Sequence, residues 1–175
     1  YLYGNTIYAR VHTSGSDAEF NTGGIGTADG KWHHMAFVYD ANGDKTGATN
    51  TAQIWLDGKM VAAATITGNM NASNAVLVIG SRYSYTDDHY FDGQIEEARM
   101  WSIARTGTQI RNDMFSNGDL VVDTRLVGRW QFNEGTGSAT EGGTNVDGVI
   151  YSWDSEGGTR SANTSAWAGA GTTTM

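Results

Sequence analysis

The 175-residue chain contains no cysteine and no proline. Without cysteine there is no disulfide scaffold, no thiolate zinc site and no thiol nucleophile. Without proline there is no collagen helix and no polyproline linker. Positive charge is also scarce. The chain has 11 Lys and Arg against 19 Asp and Glu, a formal net charge of −8. An acidic surface repels phosphate backbones, so nucleic acid is not expected as a partner. No apolar run approaches the roughly 20 residues that span a bilayer. The chain starts at Tyr1-Leu2-Tyr3 without a charged leader, which reads as a mature or truncated piece of something longer.

What is present is glycine, at 24 residues, roughly twice the average share. Hydrophobic residues make up 39% and aromatics 11%, too many for a disordered chain. Alternating or apolar segments recur between Gly, Asn and Asp clusters, the pattern of an antiparallel all-β fold. Strands are expected at Thr6–Val11, His33–Tyr39, Gln53–Leu56, Lys59–Ala62, Ala75–Gly80, Ile95–Ile103, Leu126–Phe132 and Val146–Trp153. Asp57-Gly58 between two of them is a hairpin signal, because a two-residue primed turn needs positive φ. One short helix is expected from Gly107 to Phe115, capped by Thr106 and ended by Gly118. Residues 1–153 then form one domain. Residues 154–175, rich in Gly, Ser and Thr, form a tail or docking arm. Long strands and tight glycine turns fit a two-sheet antiparallel jelly-roll sandwich with one short helix.

Several stretches, in order, resemble the laminin-G-like, concanavalin A-like jelly rolls of bacterial and phage surface proteins. Asp29-Gly30-Lys31-Trp32-His33-His34-Met35-Ala36 resembles DGKWHHVA. Ile54-Trp55-Leu56-Asp57-Gly58-Lys59-Met60-Val61 resembles LYVDGxLV. Val78-Ile79-Gly80 followed by Tyr90 to Trp101 resembles IG…YFDGxIDEVRIW. Ala104-Arg105-Thr106 through Met114 is similar to the family's ART…EI…M helix, and Leu126 to Gly137 to its LVGYWxFDEGSG strand. The matches cover residues 29–153. Two family strands, SFDGxDDYV and FTISAWVK, have no counterpart before Tyr1. An incomplete sandwich would expose sheet edges, and exposed edges pair with other chains.

Glycoside hydrolysis needs two carboxyls about 5–9 Å apart. Glu96 and Glu97 are adjacent on a strand and point to opposite faces, and the Glu-x-Asp-x-x-Glu pattern of related glucanases is absent. No catalytic residue is expected. Glu97 and Arg99 share a face and read as ion-pair partners for a neighbouring strand. His33 and His34 point oppositely on a strand, so one metal cannot take both; one is expected under the core and the other outside. Gly23-Gly24-Ile25-Gly26 is not followed by a helix and reads as a turn. Asn71 and Asn163 match the glycosylation pattern, one that chance often produces.

Calcium takes carboxylates and loop carbonyls. The resemblance implies a structural Ca²⁺ near Asp92 and Glu96, although Glu96 stands where the family has Asp. Asp40, Asn42 and Asp44 open like a calcium loop, but Lys45 replaces the required Gly and Thr51 the bidentate Glu, so the segment reads first as a hairpin loop, with ion binding the lesser alternative. Tyr83, Tyr85 and Tyr90 flank Asp87 and Asp88 in an aromatic-acidic loop. That loop either covers the sandwich rim or contacts a ligand. The family resemblance implies one expectation, and the missing opening strands with the Gly/Ser/Thr tail motivate a second. One is a non-catalytic extracellular adhesion module at a cell or virion surface, binding a glycan or a cell-surface protein. The other is a structural subunit of a filament, surface layer or tail fibre, forming a homo-oligomer by strand complementation.

Overall fold

Alternation of apolar and polar residues sets the architecture, as it does in any half-buried antiparallel sheet. A computed structural model of the chain describes residues 1–15, 17–42, 52–71, 77–80, 91, 93–116, 125–130 and 132, with the backbone of four two-residue strands beyond them. The described elements are antiparallel strands and one short helix, the expected all-β class. They fall into two compact units, residues 1–74 with 103–123, and residues 75–102 with 124–175.

In the first unit, β1 (Leu2–Tyr3), β2 (Thr6–His12) and β3 (Asp17–Asn21) make one sheet in that order. β4 (Met35–Tyr39), β5 (Ala52–Leu56) and β6 (Lys59–Ala64) make another. Along β2, Ile7 and Val11 are buried while Arg10 and His12 are exposed. Val11, Ala52 and Ile66 are buried together, with Ala18, Phe20, Tyr39 and Ala64 packed against them. The two sheets therefore share one apolar core, the arrangement of a β-sandwich. β1 and β3 were not expected from the sequence. In β3 only Ala18 and Phe20 face inward, too short an apolar pattern to stand out.

The β5–β6 hairpin turns on Asp57 (φ 48°) and Gly58 (φ 74°). Two positive φ values in succession are the signature of the expected primed turn. A Cβ on Gly58 would also lie 2.9 Å from Cγ of Arg111. Helix α1 (Gly107–Met114) starts as expected. The Thr106 hydroxyl accepts from the Gln109 amide, and the Gln109 side chain accepts from the Thr106 amide at 2.9 Å. This reciprocal cap satisfies two otherwise orphaned donors, and the helix buries Ile110. It stops at Met114 with Phe115 as its cap; Gly118 lies outside the described residues.

In the second unit, β7 (Ala98–Trp101) pairs with β8 (Leu126–Trp130). The strand expected over Ile95–Ile103 is thus shorter at both ends. Glu97 has φ 55°, a left-handed conformation that no extended ladder accommodates. Trp130 and Phe132 are buried, with Ile95 and Ala98 against them. The strand expected at Ala75–Gly80 does not form over its described residues, 77–80. Gly80 turns there at φ 81°, and its carbonyl accepts from the Phe91 amide at 2.8 Å. Farther on, β9 (Ser138–Ala139) pairs with β10 (Gly148–Val149), and β11 (Tyr151–Ser152) with β12 (Ser161–Ala162). The region expected as a single strand, Val146–Trp153, thus contributes two short segments with different partners.

Candidate functional site

The residues singled out from sequence are only partly described. Asp92, Asp44 and the loop residues Tyr83, Tyr85, Asp87, Asp88 and Tyr90 lie outside the described residues. Glu96 is exposed just before β7. Asp40 is buried at the end of β4, and Asn42 is exposed two residues later. Among the described residues no group of three or more His, Asp or Glu is arranged to hold a metal ion.

The outer face of the β1–β3 sheet is built differently. Strand alternation sends Ile7, Ala9 and Val11 one way and Thr6, Tyr8, Arg10 and His12 the other. Register then sets Tyr8 opposite Asn21, Arg10 opposite Glu19 and His12 opposite Asp17. Cross-strand partners share a face, so these six side chains stand together. His12 Nδ1 lies 3.0 Å from the Asp17 carboxylate. Tyr1 extends the ladder beside Tyr8, their backbones exchanging two 2.7 Å hydrogen bonds. The two rings stack at 4.8 Å, with only 3° between planes. The Tyr1 hydroxyl donates to Glu19 at 3.2 Å. Tyr3, paired with Thr6, is 77% exposed. The result is an exposed aromatic platform bordered by a carboxylate, a guanidinium and an amide. In the sequence Asp17, Glu19 and Asn21 alternate with Ala18 and Phe20, a pattern too short to mark the strand without its partner β2.

A second cluster sits where the segment before β4 meets the β5–β6 turn. His33 and His34 precede β4, which begins only at Met35. Neither is buried beneath the core, which corrects the strand-based expectation for the pair. His33 Nδ1 lies 2.8 Å from Asp57 and Nε2 lies 3.0 Å from Asp29. The backbone amide of His34 donates to the other Asp57 oxygen at 2.9 Å. The Lys31 ammonium pairs with Asp29 at 3.0 Å. Asp57, then Asp29, raise the His33 imidazole above its ordinary pKa by accepting its hydrogen bonds. Hydrogen bonds from Lys31, then His33, hold Asp29 far below the usual carboxylate range. Burial works to raise Asp57, but His33 and the His34 amide outweigh it and lower the carboxyl. Sequence reading missed this cluster because Asp57 is 24 residues from His33 and looked fully explained by its turn.

Glu97 meets Arg129 of β8 at 2.7 and 2.9 Å and Arg99 of β7 at 2.8 Å. The expected ion pair to a neighbouring strand is therefore present. Burial would raise Glu97, but Arg129 and Arg99 reverse that and hold it low. A glycosidase acid needs the opposite shift, upward, to carry a proton near neutral pH. Asp29, Asp57 and Glu97 are all displaced downward.

A family model described as the concanavalin A-like lectin/glucanases superfamily, of laminin G type, matches residues 1–111. No curated protein and no solved structure is matched.

Proposed function

The chain belongs to the laminin-G-type family of the concanavalin A-like lectin/glucanase superfamily, and from that premise we propose that it is a non-catalytic extracellular binding module for carbohydrate. It works at a cell or virion surface. The observation that carries this reading is the tyrosine face of the β1–β3 sheet. Sugars present apolar C–H faces and a rim of hydroxyls. An aromatic ring takes the first, and carboxylate, amide and guanidinium groups take the second. Tyr3, the outer ring of the Tyr1–Tyr8 stack, Glu19, Asn21 and Arg10 supply both kinds of contact on one sheet face. Asp29, Asp57 and Glu97, held ionised at neutral pH, are unsuited to the proton-donating acid of a glycosidase, which agrees with the reading at those three positions.

The aromatic-acidic loop Tyr83, Tyr85, Asp87, Asp88 and Tyr90 is proposed as a separate ligand contact, independent of the tyrosine face. Calcium enters the reading as a structural ion at Asp92 and Glu96, or at Asp40, Asn42 and Asp44. Melting with and without chelator tests it: a rise of several degrees on adding calcium supports the ion, and an unmoved melting temperature removes it. Among the described residues no helix is long and apolar enough to cross a membrane.

A glycan array probed with the whole chain tests the main reading. Binding to a defined set of oligosaccharides, lost in Tyr3→Ala with the fold retained, is the expected result. Silence on the array together with polymers in light scattering would favour the self-assembling subunit instead.

A further inference from the structure

Two turns that are remote in sequence meet at one side chain. The His33 ring stands between Asp57, at the tip of the β5–β6 hairpin, and Asp29, in the turn before β4. A neutral imidazole has one N–H and one bare nitrogen, and an ionised carboxylate only accepts. Both hydrogen bonds therefore exist together only when His33 carries two protons. We propose that His33 is a proton-operated latch: protonated, it ties the Asp29–Lys31 turn and the adjoining Trp32 to the hairpin tip, and deprotonated, it lets one turn go.

The surrounding groups decide which turn is released. Asp57 keeps the shorter bond to the ring, at 2.8 Å, and also holds the His34 amide. The Asp57-Gly58 turn is held besides by Arg111 of α1, whose guanidinium reaches the Gly58 carbonyl at 3.4 Å. Asp29 has the longer bond to the ring. Its other partners are the ammonium and amide of Lys31, both within its own turn. When the proton leaves for solvent, the remaining N–H stays on Nδ1, facing Asp57. The link to Asp29 is then lost. What moves is the Asp29–Lys31 turn, and Trp32 with it, a side chain already 54% exposed.

The direction follows from the charges. Two carboxylates favour the imidazolium, so the latch stays closed past the ordinary imidazole value of about 6.5. Its contribution is complete below that value and is lost as pH rises through the raised pKa of His33. On the acid side it is lost only when Asp29 and Asp57 protonate, below their ordinary range. The latch is independent of the carbohydrate reading, because none of its groups belongs to the tyrosine face.

An NMR pH titration of the whole chain tests it. The His33 ring nitrogens, the Gly30 amide and the Trp32 indole N–H are followed together. The expected result is that His33 titrates above the ordinary imidazole value and that Gly30 and Trp32 shift with the same midpoint. In Asp29→Asn the His33 midpoint falls, and in His33→Gln the pH response of Gly30 and Trp32 disappears. His33 titrating at or below the ordinary value, or Gly30 and Trp32 staying still through its titration, overturns the latch. If His33→Gln fails to fold, the wild-type and Asp29→Asn titrations decide alone.

Discussion

At Glu97 one side chain holds a left-handed backbone and two arginines at once. A non-glycine residue there costs on the order of 1–3 kcal/mol, so its ion pairs must offset that cost. Glu97→Gln removes the charge and leaves Arg99 and Arg129 facing each other nearly buried. We expect a loss of about 2–3 kcal/mol, read as a lower urea midpoint. Because the Glu97 carboxyl is held low, its contribution is present above the ordinary carboxylate range and fades as pH falls through the lowered value. The stability difference between wild type and Glu97→Gln therefore shrinks in acid; a difference constant with pH would deny the pairing. Gly58→Ala is expected to cost about 1–3 kcal/mol, since it places a Cβ at positive φ and against Arg111. Both sites were partly legible. Asp-Gly announces its own turn locally, and the two-residue spacing of Glu97 and Arg99 announces a shared face. That Arg129 would be the cross-strand partner, and that Glu97 would leave the extended region, depends on tertiary register that no local pattern encodes.

Elements whose signals lie within a few residues matched expectation best. The Asp57-Gly58 hairpin and the Thr106–Gln109 cap each carry their determinants inside four positions. Thr106→Ala removes the hydroxyl that caps α1 and should cost about 1 kcal/mol, visible as a lower melting temperature with little change elsewhere. Elements defined by what they pack against were less legible. β3 has only two inward apolar residues and is recognised by its partner β2, not by its own sequence. β7 is shorter than its apolar run because Glu97 ends it by backbone conformation. Ile66 follows β6 and belongs to no strand, yet it is 2% exposed in the shared core of the two sheets. Ile66→Ala is expected to cost about 2–5 kcal/mol by transfer and cavity terms together. A loss under 1 kcal/mol would mean that the two sheets do not share that core.

For the whole molecule, composition and motif order pointed to the fold class and the family, while the site emerged only from register. The residues chosen from sequence were acidic loops, because loops usually carry function. The described structure instead gathers Tyr1, Tyr3, Tyr8, Arg10, Glu19 and Asn21 on one sheet face, from strands of which only β2 was anticipated. The absence of cysteine fits this plan. An apolar core within the first unit and ion pairs such as Glu97–Arg129 within the second pack the described residues without disulfides. The most direct test is calorimetric titration of the strongest array glycan into the wild-type chain and into Tyr1→Ala/Tyr3→Ala, with circular dichroism to verify the fold. The double variant is expected to bind at least about tenfold more weakly, on the order of 1.4 kcal/mol, with an unchanged spectrum. Equal affinity in the two folded proteins would contradict it.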